Sequence, residues 1–160
     1  MAKSRKFASK KVVDDKYGQF DSTTEYKYWL YLVDLQEKGI ITNLDRQREF
    51  LLVPSFKDSY GKTVRKMVYK SDMTYEKDGQ LVIVDCKGSL YNITIESKNK
   101  IKMCKYLNQD ARFELIVTLE GKWYNLEDKE QKKEYMKLQK AKKNKRKKKE
   151  YSIYQLQRKI

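Results

Sequence analysis

Residues 69–88 read Tyr69-Lys70-Ser71-Asp72-Met73-Thr74-Tyr75-Glu76-Lys77-Asp78-Gly79-Gln80-Leu81-Val82-Ile83-Val84-Asp85-Cys86-Lys87-Gly88, and their pattern decides the fold. Asp78-Gly79 is the strongest short hairpin signal a sequence offers, and β-rich segments flank it, Val64–Lys77 before and Gln80–Lys87 after. Leu81-Val82-Ile83-Val84 is apolar on both faces, so this strand is expected at the centre of a sheet covered on both sides.

If the turn takes two residues, Lys77 pairs with Gln80, paired numbers sum to 157, and Asp72 sits opposite Asp85; a four-residue loop would place the two acids diagonally, still on the same face. Like charges across a ladder are destabilising, and more so beside a wholly apolar strand, unless something positive lies between them. Strand alternation puts Lys87 on the same face, two residues beyond Asp85. Two carboxylates and a lysine converging at the end of a buried hairpin outline a divalent-metal site. Mg2+ takes hard oxygen ligands, few of them from protein, and completes its octahedron with phosphate oxygens. Asp72, Asp85 and the main-chain carbonyl of Cys86 are the expected protein share, with Mn2+ able to substitute. Such an ion polarises a scissile phosphate and makes hydroxide available without histidine. Lys87 would position the water or offset the charge growing on the phosphate.

Working outward, Ser22-Thr23-Thr24-Glu25 is a capping box that opens a helix, which Gly39 closes. Tyr28, Trp29, Leu32 and Leu35 give that helix one apolar stripe, with Glu25 on its edge. Ile40 to Leu44 leads into a strand at Phe50–Val53, ended by the only proline, Pro54. Residues 89–95 read as a further strand, Ser97–Asn108 as a basic helix and Arg112–Leu119 as a strand. Lys98, Lys100 and Lys102 on the basic helix are expected to face backbone phosphates, although a solvated helix face also explains them.

Of 160 residues, 37 are Lys or Arg and 22 are Asp or Glu, giving a net charge of +15. The excess is uneven: residues 1–16 carry +4, residues 17–126 only +2, and residues 127–160 carry +9. The expected organisation is a basic flexible arm (1–16), one nearly neutral α/β domain (17–126) and a Lys-rich tail, helical or mobile (127–160). Such a balance points to a polyanionic partner. In the tail, Lys142, Lys143, Lys145, Arg146, Lys147, Lys148 and Lys149 are the expected phosphate contacts; a lysine run supplies charge, not sequence readout.

The chain has no histidine, which excludes His-dependent nucleases, Ser-His-Asp and Cys-His hydrolases and His-ligated zinc. Its two cysteines, Cys86 and Cys104, cannot build a four-Cys zinc site or a disulfide framework. No apolar run approaches the roughly 20 residues of a bilayer span and no signal h-region leads the chain, so a cytoplasmic protein without membrane contact is expected. Gly61-Lys62-Thr63 ends like a phosphate-binding Walker loop, but Phe56 stands where its first glycine belongs. Asn92-Ile93-Thr94 fits a glycosylation sequon, which has no meaning without secretion.

Glu25, Asp72 and Asp85-Cys86-Lys87-Gly88 resemble the helix Glu, the Asp and the (D/E)-x-K of the PD-(D/E)XK nuclease superfamily. More narrowly, four segments resemble an uncharacterised phage family in that superfamily. They are Phe20-Asp21-Ser22-x-x-Glu25, Gly39-x-Ile41-x-x-Leu44-x-x-Gln47-x-x-Phe50, Tyr69-x-x-Asp72 and Val84-Asp85-x-Lys87-Gly88. Similar patterns occur in nuclease subunits of cut-and-paste transposons and in phage Holliday-junction resolvases. Two departures stand out: Ser71 replaces the proline that often precedes the first Asp, and Asp85 replaces the commoner Glu.

The resemblance implies a restriction-endonuclease-like mixed sheet flanked by helices. It also implies a Mg2+-dependent DNA endonuclease leaving 5′-phosphate ends, directed to branched DNA in recombination or replication. Glu25 becomes a third metal ligand, direct or through water, and Gln47 a neighbour of the site. A homodimer and phage replication or recombination proteins are the implied partners, in the host-cell cytoplasm. The competing expectations are a noncatalytic basic nucleic-acid-binding module and a nuclease subunit active only with partner proteins.

Overall fold

The computed structural model describes residues 10–89 and 93–157. The Asp78-Gly79 turn forms as the sequence requires: φ is +53° at Asp78 and +75° at Gly79, positive at both central positions as a right-twisted hairpin needs. It joins β8 (Met73–Lys77) to β9 (Gln80–Lys87), with Lys77 opposite Gln80 and Met73 opposite Val84. Every pair sums to 157, the expected register.

Around this hairpin stands a five-stranded mixed sheet. β9 pairs in parallel with β10 (Arg112–Leu119), which pairs antiparallel with β11 (Lys122–Asn125); β8 pairs antiparallel on its outer side with β3 (Thr42–Arg46). Two parallel neighbours cannot be joined by a tight turn, so the chain crosses over between them through α2 (Ile95–Leu107). Val82 through Cys86 are buried, the expected signature of a central strand.

One face of the sheet is covered by α1 (Thr23–Glu37). The Ser22 hydroxyl accepts from the Glu25 N–H at 3.0 Å, forming the N-cap. At the other end Gly39 (φ +69°) donates to the Gln36 carbonyl and Ile40 to Leu35, the Schellman pattern that only a left-handed residue allows. Tyr28, Trp29 and Leu32 are buried against Met73, Tyr75, Val82 and Val84, while Leu35 is partly buried at the edge of that cluster. A hairpin of β1 (Val12–Asp14) and β2 (Gly18–Phe20) closes this layer with Phe20.

The other face is covered by α2 and by a two-stranded ribbon, β4 (Glu49–Val53) with β7 (Met67–Lys70). Phe50, Leu52, Tyr69, Ile101 and Cys104 pack there against Ile83, Phe113 and Leu115. The ribbon continues outward as β5 (Phe56–Lys57) and β6 (Thr63–Val64). The single β-rich segment expected over 64–77 is therefore three strands in three separate sheets. The break before β8 falls at Ser71-Asp72, where the chain leaves the ribbon for the main sheet, Ser71 N–H donating to Arg48 O and Asp72 N–H to Val84 O.

Three expectations need correction. The strand foreseen at 89–95 is not there among the described residues: Thr94 caps α2, its hydroxyl accepting from Ser97 N–H at 3.1 Å, and Ile95 is already helical; residues 90–92 lie outside the described ones. The flexible arm foreseen over 1–16 does not extend through Val12–Asp14, which is paired in β1; residues 1–9 lie outside the described ones. The boundary at 126 also falls too early. α3 runs as one helix over Lys129–Gln157, and its Tyr135 is 1% exposed, packed 5.6 Å from the Tyr124 ring.

Tyr135 makes the first turns of α3 part of the core, and this separates two truncations. Tyr135→Ala, or ending the chain at residue 127, is expected to cost roughly 3–5 kcal/mol, as emptying a buried aromatic site usually does. Ending it after residue 141 should leave the melting temperature nearly unchanged, as thermal unfolding of the three proteins will show.

Candidate metal centre

The joint between ribbon and sheet is where the acids meet. Asp72 lies immediately before β8, its main chain held on both sides: its N–H donates to Val84 O at 3.1 Å and its carbonyl accepts from Gln47 N–H at 3.2 Å. Its carboxylate Oδ2 accepts from the Cys86 N–H at 2.6 Å, which ties the side chain to β9 directly beside Asp85. Asp85 is 4% exposed; its Oδ1 accepts from the Tyr69 hydroxyl at 3.1 Å, and its Oδ2 lies 2.6 Å from Lys87 Nζ. Asp72, Asp85 and Lys87 thus converge on one face, as the hairpin register dictates.

The electrostatics follow from this crowding. Burial, and then the charge of Asp85, push the Asp72 carboxyl up to about 7. Lys87 feels opposing effects: burial alone would lower it, but Asp85 and Asp72 together outweigh that and hold the ammonium above its ordinary value. Burial and the same acids raise the Cys86 thiol well above its usual range, so it stays neutral and leaves the main-chain carbonyl as that residue's hard donor. The Tyr69 phenol is raised by burial and by Asp85, and remains a proton donor to that carboxylate.

Glu25 reaches the same neighbourhood from α1. It is 4% exposed, and burial raises its carboxyl while Arg46 and Lys87 oppose the shift. Its Oε2 accepts from the Asp21 N–H at 3.0 Å, the return half of the cap, shifted one residue from the usual partner. The other oxygen, Oε1, has Arg46 Nη2 at 3.9 Å and no hydrogen bond. One oxygen of this carboxylate is therefore used by the cap, and the other carries no hydrogen bond.

Two site residues went unforeseen as such. Arg46 donates to the main-chain oxygens of Tyr17 and Gln19 (2.6 Å to the latter), lies 3.6 Å over the Phe20 ring and faces Glu25. It clamps the β1–β2 hairpin to the site, and nothing in the sequence distinguishes it from Arg48. Tyr69 did carry a signal, standing three residues before Asp72 in the Tyr69-x-x-Asp72 segment. Gln47 reaches the site through its backbone, at φ +55°, by its bond to Asp72.

The basic residues do not gather at the acids. Lys98 and Lys102 are exposed on α2, and Lys100 is paired with Glu96 at 2.9 Å. Lys142, Lys143, Lys145, Arg146, Lys147 and Lys148 are exposed along α3, which leaves from the β11 edge, two strands away from β9. The side chain of Lys149 lies outside the described ones.

A hard divalent cation fits this set. One buried carboxylate oxygen, Glu25 Oε1, accepts no hydrogen bond, and Asp85 Oδ2 has the Lys87 ammonium at 2.6 Å. A buried anionic oxygen without a hydrogen bond is costly, and a cation is a group that would satisfy Glu25 Oε1. Among the described residues no three Asp, Glu, Cys or His side chains are gathered as a ready metal cage. Were such an ion bound, the protein share would be small: Asp72, Asp85 and the Cys86 carbonyl. That is the pattern of Mg2+, which keeps several of its waters and takes substrate phosphates.

Residues 4–120 match the family described as "Protein of unknown function (DUF1064)", and the chain belongs to that family. No curated protein matches the chain significantly. No helix among the described residues is long and apolar enough to cross a membrane.

The raised Asp72 carboxyl has a defined consequence for the metal-free protein. Between its ordinary value of 3.8 and about 7 the native state holds a proton that the unfolded chain has released. The associated stability is complete below that window and is lost as pH rises through it; the raised Glu25 acts in the same direction. The melting temperature without metal should therefore fall from pH 4 toward 7, and Asp72→Asn should flatten the slope. Millimolar Mg2+ or Mn2+ should raise it more at pH 8 than at pH 5, where the ion must displace that proton.

Proposed function

We propose that this member of the DUF1064 family is a divalent-metal-dependent endonuclease of the PD-(D/E)XK type, on a restriction-endonuclease-like sheet, that hydrolyses DNA phosphodiesters and acts on branched DNA. The observation that carries the reading is the convergence of Asp72, Asp85 and Lys87 at the ribbon–sheet joint, with Glu25 entering from α1. An acid pair this buried lowers stability, and a phosphodiesterase centre is the use that matches its neighbours.

A Mg2+ or Mn2+ ion held by Asp72, Asp85 and the Cys86 carbonyl would supply Lewis acidity toward the phosphate and a water of lowered pKa. The chain's own residues supply the remainder. Lys87 is held as an ammonium, so it acts as a hydrogen-bond donor that offsets negative charge building on the phosphate, not as a base. Tyr69 fixes Asp85 Oδ1 and leaves Oδ2 turned to Lys87. Arg46 balances Glu25 without hydrogen-bonding its free oxygen, and the capping bond engages only Oε2. With no histidine in the chain, protons in this site move among carboxylates and water.

Binding is assigned to other surfaces. The exposed bases of α3 and of α2 contact phosphates without reading sequence, which suits a substrate chosen by its shape. A twofold pair of chains would present two such centres to opposing strands of a junction.

Asp85→Asn is nearly isosteric and leaves the basic surfaces intact, so it should abolish Mg2+-dependent cleavage while DNA binding persists. Lys87→Ala should slow cleavage on the order of a hundredfold or more. Both are read on a four-way junction, a flap and a linear duplex of equal length; unimpaired cutting by Asp85→Asn would end the nuclease reading. Cutting by the pure chain separates it from a noncatalytic module and from a subunit needing partners. Ending the chain after residue 141 should reduce the slope of log K against log salt by several units, at roughly 0.9 for each phosphate that the tail neutralises.

A further inference from the structure

The ribbon that carries Tyr69 into the metal centre also projects away from it. Beyond the buried Phe50, Leu52 and Tyr69, the chain from Pro54 to Lys66 is exposed at every residue except Asp58, yet it is ordered as β5 and β6. Ser55 Oγ donates to Val64 O, and Phe56 stands opposite Val64. The tip is braced from within. Asp58 Oδ1 accepts from both the Tyr60 and Lys62 N–H groups at 2.9 Å, Asp58 N–H donates to Lys62 O, and Gly61 at φ +75° donates back to Asp58 O. This explains Gly61-Lys62-Thr63, which resembles the end of a phosphate loop: the glycine is there for the turn.

Tyr60, on that braced tip, is 94% exposed, so its ring contributes nothing to the core. The arm over residues 54–66 bears Lys57, Lys62, Arg65 and Lys66 against the single acid Asp58, a net +3 where residues 17–126 total only +2. A rigid basic ribbon with a solvent-facing aromatic ring at its end has the two elements used on unpaired nucleotides. Its cations follow the backbone, and its ring offers a face for a base to stack on. In intact duplex the bases are already stacked; at a branch point or a single-stranded gap a base is free to meet the ring, or an aromatic wedge can part the last pair.

We propose that the β5–β6 arm is a branch-reading element, with Tyr60 stacking on an unpaired base at the fork of branched DNA while the arm's lysines and arginine hold the flanking phosphates. The assignment rests on the DNA reading given above and adds the feature of the substrate that is recognised. Tyr60 is nine residues from Tyr69, a reach of at most about 30 Å at roughly 3.3 Å per residue. The arm therefore sets how far from the recognised branch the strand is cut.

The test uses the full chain carrying Asp85→Asn, with Mg2+, so that DNA is held uncut, and a four-way junction or flap with 2-aminopurine at the branch nucleotide. Binding should change the fluorescence of 2-aminopurine at the branch and not of the same base inside a linear duplex. Adding Tyr60→Ala should remove the signal and cost about tenfold in affinity for the junction, and Tyr60→Phe, which keeps the ring, should restore both. An undiminished signal and affinity with Tyr60→Ala would overturn the arm's role while leaving the nuclease reading in place. If Tyr60→Phe is as defective as Tyr60→Ala, stacking is the wrong mechanism. A full chain that binds no DNA of any shape overturns both proposals together.

Discussion

The repulsion between Asp72 and Asp85 is the constraint around which this molecule is arranged. Two carboxylates on neighbouring strands, one of them almost wholly buried, would oppose folding if nothing answered them. The answer is local: the Cys86 N–H and the Tyr69 hydroxyl each bond one of the acids, and Lys87 pairs with the second. Each partner is delivered by an element whose position the sheet already fixes. Lys87 follows by alternation along β9, Cys86 by the ladder and Tyr69 by the ribbon that packs against α2.

That delivery depends on the chain changing partners at Ser71-Asp72. Upstream, β7 belongs to the ribbon with β4; downstream, β8 belongs to the main sheet between β9 and β3. Arg48 and Gln47 hold the crossing point through main-chain bonds to Ser71 and Asp72. A side chain at such a crossing is positioned by two sheets at once, which limits how far it can retreat from its neighbour's charge.

Much of this was legible in the residues. The register of the Asp78-Gly79 hairpin followed from turn chemistry alone, and with it the juxtaposition of Asp72, Asp85 and Lys87, because strand pairing is arithmetic once the turn length is known. The ends of α1 were written in Ser22, Glu25 and Gly39. Other features depend on tertiary context that no local pattern carries. The 64–77 segment is uniformly β-prone, so composition could not show that its parts belong to three different sheets. Ile93-Thr94-Ile95 is β-branched and reads as strand, but the Thr94 cap and the apolar Ile101 and Cys104 beyond it made helix the better solution. Tyr135 sits in a lysine-rich run whose overall polarity conceals a single core residue, and Arg46 acquires its role only when β1–β2 folds across α1.

The long α3 has a property of its own. At about 1.5 Å per residue, its 29 residues extend about 43 Å; Tyr135 is buried against the domain, and further along Lys142 reaches Glu120 at 3.7 Å. Past Gln139 successive turns stack like charges, Lys142 above Arg146 and Lys143 above Lys147, with Glu150 offsetting one of them at 3.2 Å from Arg146. Like charges four residues apart weaken a helix, so this half is held by intrinsic propensity against its own repulsion. Its helix–coil equilibrium is thereby tied to the surrounding anions. Counterions or a phosphate backbone that screen the lysines favour the helix, and dilution of salt weakens it, so the shape of this half is itself a gauge of local ionic atmosphere.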